Sequence, residues 1–406
     1  MKKDSKNYSL RCLDLTGPAE ALDALKRVGV DPYGLEAMLP KMSGLNLLLE
    51  GVPCKVANII KQEMLSIGGD AAVCRGAVAC SVPKTDVILI GTEKQIGRFT
   101  AKVGVQPFGL QDLAGAIECL MANKVRETFL LKTSRREFVL GERPWIMGIL
   151  NVTPDSFSDG GRHNTVDAAV ARGLQMVAEG ADIIDIGGES SRPGAEPVSP
   201  AEEKARVVPV IKKLALKVKV PISIDTTKAV VAREAVAHGA EIINDISALR
   251  FDRGMPEAVA ATGAAVVLMH MRGTPKDMQK GKIVYRSVVG DVLAFLRERV
   301  AFALDCGIEV ERIMVDPGIG FGKTPGDNLK LLKHLPELQV LGLPVLTGVS
   351  RKAFIGGITG GEPSERADGT AAAVAVAVMK GCHVLRVHDV AMMKKVATVT
   401  RAILKA

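Results

Sequence analysis

The chain has 406 residues, 53 Lys plus Arg against 45 Asp plus Glu, 47% hydrophobic residues and 3% aromatic ones. That is longer than one ordinary domain of about 100–200 residues, so two domains are expected, and the apolar content excludes a disordered chain. The formal net charge of +8 is spread without a dense basic run or interleaved aromatics, which argues against nucleic acid and reads first as a mildly basic solvated surface, with a small anionic substrate as the alternative.

The longest Ala/Val run, 371–378, is far short of the ~20 apolar residues that span a bilayer. The opening Met-Lys-Lys-Asp-Ser-Lys has no apolar segment behind it. A soluble, cytoplasmic chain without a membrane partner is expected. Seven scattered cysteines without a Cys-x-x-Cys pair argue against a disulfide framework or zinc site and fit a reducing compartment.

In chain order, residues 1–122 read as a mixed α/β unit. Strand candidates lie at 10–15, 45–51, 71–74 and 87–91, and helix candidates at 18–28, 54–66, 94–103 and 110–122. No motif in this unit assigns it a task. Segments 127–132 and 136–140, joined through Thr133-Ser134-Arg135, read as a β-hairpin able to plug the bottom of whatever follows.

From Trp145 onward, short Ile/Val-rich runs alternate with segments of helical period. The runs lie at 145–151, 182–188, 222–226, 242–246, 265–270, 313–318, 345–350 and 384–389, with helix candidates such as 165–179, 200–216, 287–305 and 364–379. Ser199-Pro200 followed by Glu202 and Glu203 supplies a cap, a first-turn proline and acids at the positive helix end. Eight strand-helix units predict a closed (β/α)8 TIM barrel over 123–406, preceded by the small mixed α/β domain. Nearly every run ends in a polar residue: Asn151, Glu189, Asp225, Asn244, His270, Asp316, Ser350 with Lys352, and Arg386 with His388. In a barrel these ends converge on one rim, where such folds build their sites.

Two strands run into loops too polar and too long for plain strand-helix turns: Met147-Gly148-Ile149-Leu150-Asn151-Val152-Thr153-Pro154-Asp155-Ser156-Phe157-Ser158-Asp159-Gly160-Gly161 and Asp185-Ile186-Gly187-Gly188-Glu189-Ser190-Ser191-Arg192-Pro193-Gly194-Ala195. They resemble the two signature motifs of the dihydropteroate synthase family, pterin-binding barrels of the folate pathway. The resemblance continues through Ser223-Ile224-Asp225-Thr226-Thr227-Lys228, Ile243-Asn244-Asp245, Leu268-Met269-His270-Met271, Asp316-Pro317-Gly318-Ile319-Gly320-Phe321-Gly322-Lys323, Gly348-Val349-Ser350-Arg351-Lys352 and Arg386-Val387-His388-Asp389. It covers about residues 125–406 and departs from the usual pattern at Ser191, where the family often has threonine.

The resemblance implies a transferase that joins 6-hydroxymethyl-7,8-dihydropterin diphosphate to para-aminobenzoate. Asp225, Asn244, Asp316 and Lys352 offer acceptors, an amide and an ammonium for a flat heterocycle edged with donors and acceptors, and the resemblance makes them the pterin contacts. An ion pair among the same acids and lysine is the structural alternative. Arg386 and His388, two apart on one strand, share a face. With Asn151, Ser191 and Arg192 they are implied to hold the diphosphate, Asn151 also being the ligand of Mg2+. Ser191, Pro193, Phe321, Lys352 and Ser350 are implied around the aminobenzoate, with a core role as the rival for Phe321. Asp225, Lys352, Arg386 and His388 are the expected catalytic set, and the resemblance implies a homodimer. Two other readings stand beside this one: a corrinoid methyltransferase using a methylated folate, which has no reason to keep Asn151 or the Arg-x-His pair, and a non-catalytic pterin-binding paralogue, which degraded loops would betray.

Overall fold

The computed structural model describes residues 11, 13–15, 17–153, 162–190, 194 and 196–406. Residues 154–161 of the first motif, and Ser191, Arg192, Pro193 and Ala195 of the second, lie outside the described residues. The chain divides into two compact units, Met1–Ala122 and Asn123–Ala406.

In the first unit, helices α1 (Pro18–Val28) and α2 (Pro32–Met38) precede strand β1 (Gly44–Pro53), α3 (Cys54–Ser66), β2 (Asp70–Val73), β3 (Lys84–Thr92), α4 (Glu93–Val103) and α5 (Leu110–Lys124). The antiparallel sheet has the order β1-β3-β2. Alternate residues Leu45, Leu47, Val87 and Leu89 turn inward and pack with Ile60, Met64, Ile96 and Phe99 of the helices, the one-faced burial expected of an antiparallel sheet. Thr92 and Gln95 form a reciprocal capping box that starts α4. The strand expected at 10–15 does not form: Leu13 to Leu15 belong to no strand, and Leu10 and Cys12 lie outside the described residues. Helix α2 was not foreseen; Asp31 accepts the Gly34 N–H as its cap and Pro32 starts it, local signals with no apolar stripe to announce them.

The second unit opens with the hairpin β4 (Phe129–Lys132) and β5 (Glu137–Leu140). Eight parallel strands follow: β6 (Trp145–Asn151), β7 (Ile183–Gly187), β8 (Ile222–Asp225), β9 (Ile242–Asp245), β10 (Ala265–Met269), β11 (Ile313–Asp316), β12 (Leu346–Thr347) and β13 (Val384–Val387). Their order is β11-β10-β9-β8-β7-β6-β13-β12, and a parallel bridge between Val315 and Val345 completes the circle. Helices α6 (Arg162–Ala178), α7 (Pro200–Ala215), α8 (Ala229–Ala237), α9 (Met255–Thr262), α10 (Val288–Asp305), α11 (Pro325–Lys333), α12 (Ala353–Thr359), α13 (Ala367–Met379) and α14 (Val390–Lys405) intervene and close the chain. The expected (β/α)8 TIM barrel, preceded by a small mixed α/β region, is therefore what the chain forms.

The period of two along each strand sorts the side chains. Ile146, Ile184, Ile186, Ile224, Ile243 and Leu385 point outward into the main core beneath the helices. Met147, Ile183, Ile242, Val267, Met314 and Val384 point into the barrel, where Phe129, Leu131 and Leu140 of the hairpin pack against them. The lower interior is therefore apolar and filled. One or two residues further along, the same inward faces carry Asp185, Ser223, Asn244 and Thr347, all buried. An apolar floor beneath a polar layer is what places the chemistry at the carboxyl ends of the strands. No helix among the described residues is long and apolar enough to cross a membrane.

Candidate active site

Arg386 on β13 is the hub. Its Nε donates to Asp185 Oδ2 at 2.6 Å and its Nη2 to Asp225 Oδ2 at 2.7 Å. Asn244 Nδ2 donates to the same Asp185 oxygen at 3.2 Å. Four residues from strands β7, β8, β9 and β13 are thus tied inside the barrel mouth. Asp185 is wholly buried, and its second oxygen has no hydrogen-bond partner among the described residues. Burial opposes the charge on Arg386, but Asp185 and Asp225 outweigh it and raise the guanidinium above its ordinary value. Burial pushes the Asp225 carboxyl well up; Arg386 counters this, and the neighbouring Asp185, Glu203 and Asp245 reinforce it.

The structure thus places Arg386 across two carboxylates, not alone at an anion subsite. Its Nη1 is the nitrogen that makes no hydrogen bond to a described residue. The ion pair between the pterin acids and Lys352 does not form among the described residues: Lys352 pairs with no described carboxylate, and Asp225 pairs instead with Arg386. Its ammonium lies 4.2 Å from the centre of the Phe321 ring, a favourable cation–π contact. Burial, with Arg386 adding to it, pulls the Lys352 ammonium down to about 8 against the pull of Asp316 and Asp225. Phe321 itself is buried with Ile246, Met269, Met271 and Met278, so it has both the core contacts and the cationic neighbour.

Asp316 ends β11 and accepts the Gly318 N–H at 2.7 Å. Burial drives its carboxyl up to about 6, against the Gly318 bond and the charges of Lys352, Lys323 and Arg386. The loop beyond turns on Gly318, at φ +67°, where a Cβ would lie 2.0 Å from the His270 carbonyl oxygen. Only glycine fits that approach. Lys323, almost wholly buried, donates to the carbonyls of Gly318 and Phe321 at 2.8 and 3.1 Å and lies 2.9 Å from His270 Nδ1. Burial lowers this lysine to about 7, opposed by Asp316. The last lysine of its motif is therefore a strut that folds the loop carrying Phe321.

His388 Nδ1 lies 3.0 Å from Ser350 Oγ, which also accepts the His388 backbone N–H at 3.2 Å. Ser350 is buried; the resemblance placed it near the aminobenzoate, and the structure sets it against His388. Burial, then Arg386 and Arg351, hold the imidazole down to about 4, so it is neutral near pH 7. Arg351, between Ser350 and Lys352, adopts φ +56°. Its backbone N–H donates to Thr370 Oγ1 at 3.0 Å and its guanidinium grips Asp389, 3.0 Å from Nε to Oδ2. Those bonds hold a conformation that costs a non-glycine residue on the order of 1 kcal/mol, and they aim Ser350 and Lys352 into the mouth.

Asn151 ends β6, opposite Gly187 in the register; its Oδ1 is 3.7 Å from where a Gly187 Cβ would stand, beside Asp225. Its side chain makes no hydrogen bond to a described residue. One neutral oxygen facing the mouth fits an ion that keeps most of its ligands from substrate and water. No group of three or more His, Cys, Asp or Glu side chains that could hold a metal occurs among the described residues.

Sequence reasoning about site residues missed several members. Asp185 stands inside the second motif, on the Ile183-Asp185-Gly187 face of β7, and the period of two would have marked it. Lys228 pairs with both Glu203 and Glu189, 2.5 Å away in each case, and Glu189 also accepts the Val198 N–H at 2.8 Å. Burial opposes the Lys228 charge, but the two glutamates raise it above its ordinary value. Glu203 reads as a first-turn helix acid in sequence, and nothing local says that it is buried.

The family described as pterin binding enzyme matches residues 147–388. The chain belongs to this family. A dihydropteroate synthase of Bacillus subtilis (strain 168) is 44% identical over 280 residues, 69% of this chain and 95% of that relative. A solved Xanthomonas albilineans dihydropteroate synthase with 4-aminobenzoic acid is 49% identical, with a TM-score of 0.65 over 69% of this chain and 99% of that one. A probable bifunctional folylpolyglutamate synthase/dihydropteroate synthase of Halobacterium salinarum is 40% identical over 93% of this chain, which spans 45% of that longer relative. The first two matches each cover about as many residues as the second unit holds; the third covers more than that unit and so extends into the first.

Proposed function

We propose that this pterin-binding barrel is a dihydropteroate synthase, condensing 6-hydroxymethyl-7,8-dihydropterin diphosphate with para-aminobenzoate to give 7,8-dihydropteroate and diphosphate. The observation that carries the reading is the convergence of Asp225, Asn244, Asp316 and Lys352 on one rim above an apolar floor. A pterin edge has donors that suit the two carboxylates and acceptors that suit an amide and an ammonium, and each buried group left unpaired costs about 1–3 kcal/mol. The 4-aminobenzoic acid in the Xanthomonas albilineans structure supports the second substrate.

The chemistry follows from the charges. As the carbon–oxygen bond to diphosphate lengthens, positive charge grows on the pterin and negative charge on the leaving group. Asp225, fixed by Arg386, faces the first and stabilises it once ionised. Arg386, through its uncommitted Nη1, faces the second. Ser350 accepts the His388 backbone N–H; with its hydroxyl proton turned to Nδ1, the neutral imidazole carries its proton on Nε2 as a donor to a phosphate oxygen. Where Mg2+ is bound, Asn151 would supply one oxygen to it, and the ion would offset the charge of the diphosphate. The amine of the aminobenzoate then attacks the pterin methylene, with Phe321 and Lys352 beside it to receive ring and carboxylate. Ser191, Arg192 and Pro193 belong to the same reading at the diphosphate and aminobenzoate. So do action in the cytoplasm and assembly as a homodimer, which light scattering would test.

Purified chain with Mg2+ should release diphosphate only when both substrates are present. No release under those conditions would sink the reading, and methyl-folate turnover would then be the assay to run.

A further inference from the structure

The first unit carries a group of thiols that the barrel chemistry does not use. Strand β2 ends at Val73, and the chain between it and β3 turns back through Cys74, Ala77 and Cys80. The turn is held by Ala77 N–H to the Cys74 carbonyl, Cys80 N–H to the Ala77 carbonyl and Ser81 N–H to the Gly76 carbonyl. It leaves Cys80 exposed at φ +46°. Cys54, the first residue of α3, is buried beneath it. The Ala77 carbonyl gathers the groups: Cys54 Sγ donates to it at 2.9 Å and Asn58 Nδ2 at 2.8 Å, and the same Nδ2 donates to Cys80 Sγ at 3.6 Å. The neighbouring Cys80, and then burial, push the Cys54 thiol up to about 11. Cys74, exposed at the start of the turn, is held below its ordinary value by the Thr85 hydroxyl, against burial, and by the amides of Gly76 and Ala77.

We propose that Cys54 and Cys80 are a reversible modification site, a dithiol that a hydroperoxide converts to an intrachain disulfide. The exposed Cys80 sulfur takes the first step: it attacks one peroxide oxygen, the O–O bond breaks, an S–O bond forms, and hydrogen peroxide leaves one water behind. The Cys54 sulfur then attacks the Cys80 sulfenic acid; the S–S bond forms, the S–O bond breaks, and the hydroxyl departs with the Cys54 proton as a second water. Two thiols lose two electrons and one peroxide gains them. A dithiol reductant reverses it by exchange. In a reducing compartment the pair rests as thiols, and it closes only under oxidant.

The test uses the full chain, treated with hydrogen peroxide, alkylated and mapped by mass spectrometry. A peptide linking Cys54 to Cys80, short of two hydrogens and released by dithiothreitol, is expected. Cys80→Ser, at an exposed position, should abolish the link with the melting curve unchanged. Cys54→Ser should leave a Cys80 sulfenic acid that dimedone traps. The proposal is overturned if wild-type Cys80 runs on to sulfinic acid without a link. A link through Cys74 in place of either partner, or retention of both thiols under peroxide, overturns it equally.

Discussion

Asp185→Asn isolates what the buried carboxylate does for Arg386. The substitution preserves shape but removes the charge from an oxygen that receives Arg386 Nε at 2.6 Å and Asn244 Nδ2 at 3.2 Å. A hydrogen bond to a charged group is worth about 1.5–3 kcal/mol, and breaking a buried pair outright costs about 3–5 kcal/mol. Here the smaller range applies, because Arg386 keeps Asp225 and an amide oxygen can still accept. At about 1.4 kcal/mol per factor of ten, kcat/KM for the pterin diphosphate should fall roughly ten- to a hundredfold. The assay is diphosphate release at saturating aminobenzoate across a range of pterin diphosphate, with a melting curve to show that the barrel is intact. A second readout separates an electrostatic role from a merely structural one. Asp185 is one of the charges that raise the Asp225 carboxyl, so its neutralisation should move the acid limb of the pH–rate profile to lower pH. An unchanged kcat/KM with an unmoved acid limb would refute the assignment.

The strand-helix alternation made the barrel legible, because a parallel strand covered on both faces is a short apolar run, and seven of the eight runs sit within about two residues of the strands formed. The exception is 345–350, of which only Leu346–Thr347 is strand; the rest is the irregular segment that sets Arg351 at positive φ. Strand ends were legible for the same reason: a polar residue closing an apolar run has nowhere else to go. What could not be read was pairing. Arg386 and His388 share a face by spacing, yet nothing local tells that Arg386 will meet a carboxylate 201 positions earlier. Nor could the bond between Ser350 and His388 be read, since His388 arrives from another strand. Buried charge is likewise a tertiary property. Glu203 and Lys323 look like surface residues in sequence and are among the least exposed charges in the fold.

Asp225→Asn should abolish turnover, by more than about a hundredfold, as loss of a preorganised electrostatic group does, while melting stays near wild type; near-normal rates would remove Asp225 from its role. Ser350→Ala should free the His388 ring and lower kcat about tenfold through the lost hydrogen bond, with little change in KM for aminobenzoate; a rise confined to that KM would return Ser350 to the aminobenzoate. Removing residues 1–122 should leave diphosphate release measurable, since the barrel has its own hairpin floor; loss of turnover from a folded barrel would contradict that. The pH dependence of stability carries a definite sign for Asp316. Its carboxyl is raised from 3.8 to about 6, so its contribution to stability is present below the lower value and lost as pH rises through the higher one. The loss is on the order of 2–3 kcal/mol for so buried a group. Asp316→Asn mimics the neutral acid and keeps an acceptor for the Gly318 N–H. Its melting temperature relative to wild type should therefore be higher at about pH 7.5 than at about pH 4.5. Pterin binding, which offers donors to the ionised form, should shrink that difference in the wild type. An equal offset at both pH values would mean that burial does not raise the Asp316 carboxyl, and the pH dependence argued for it would be refuted.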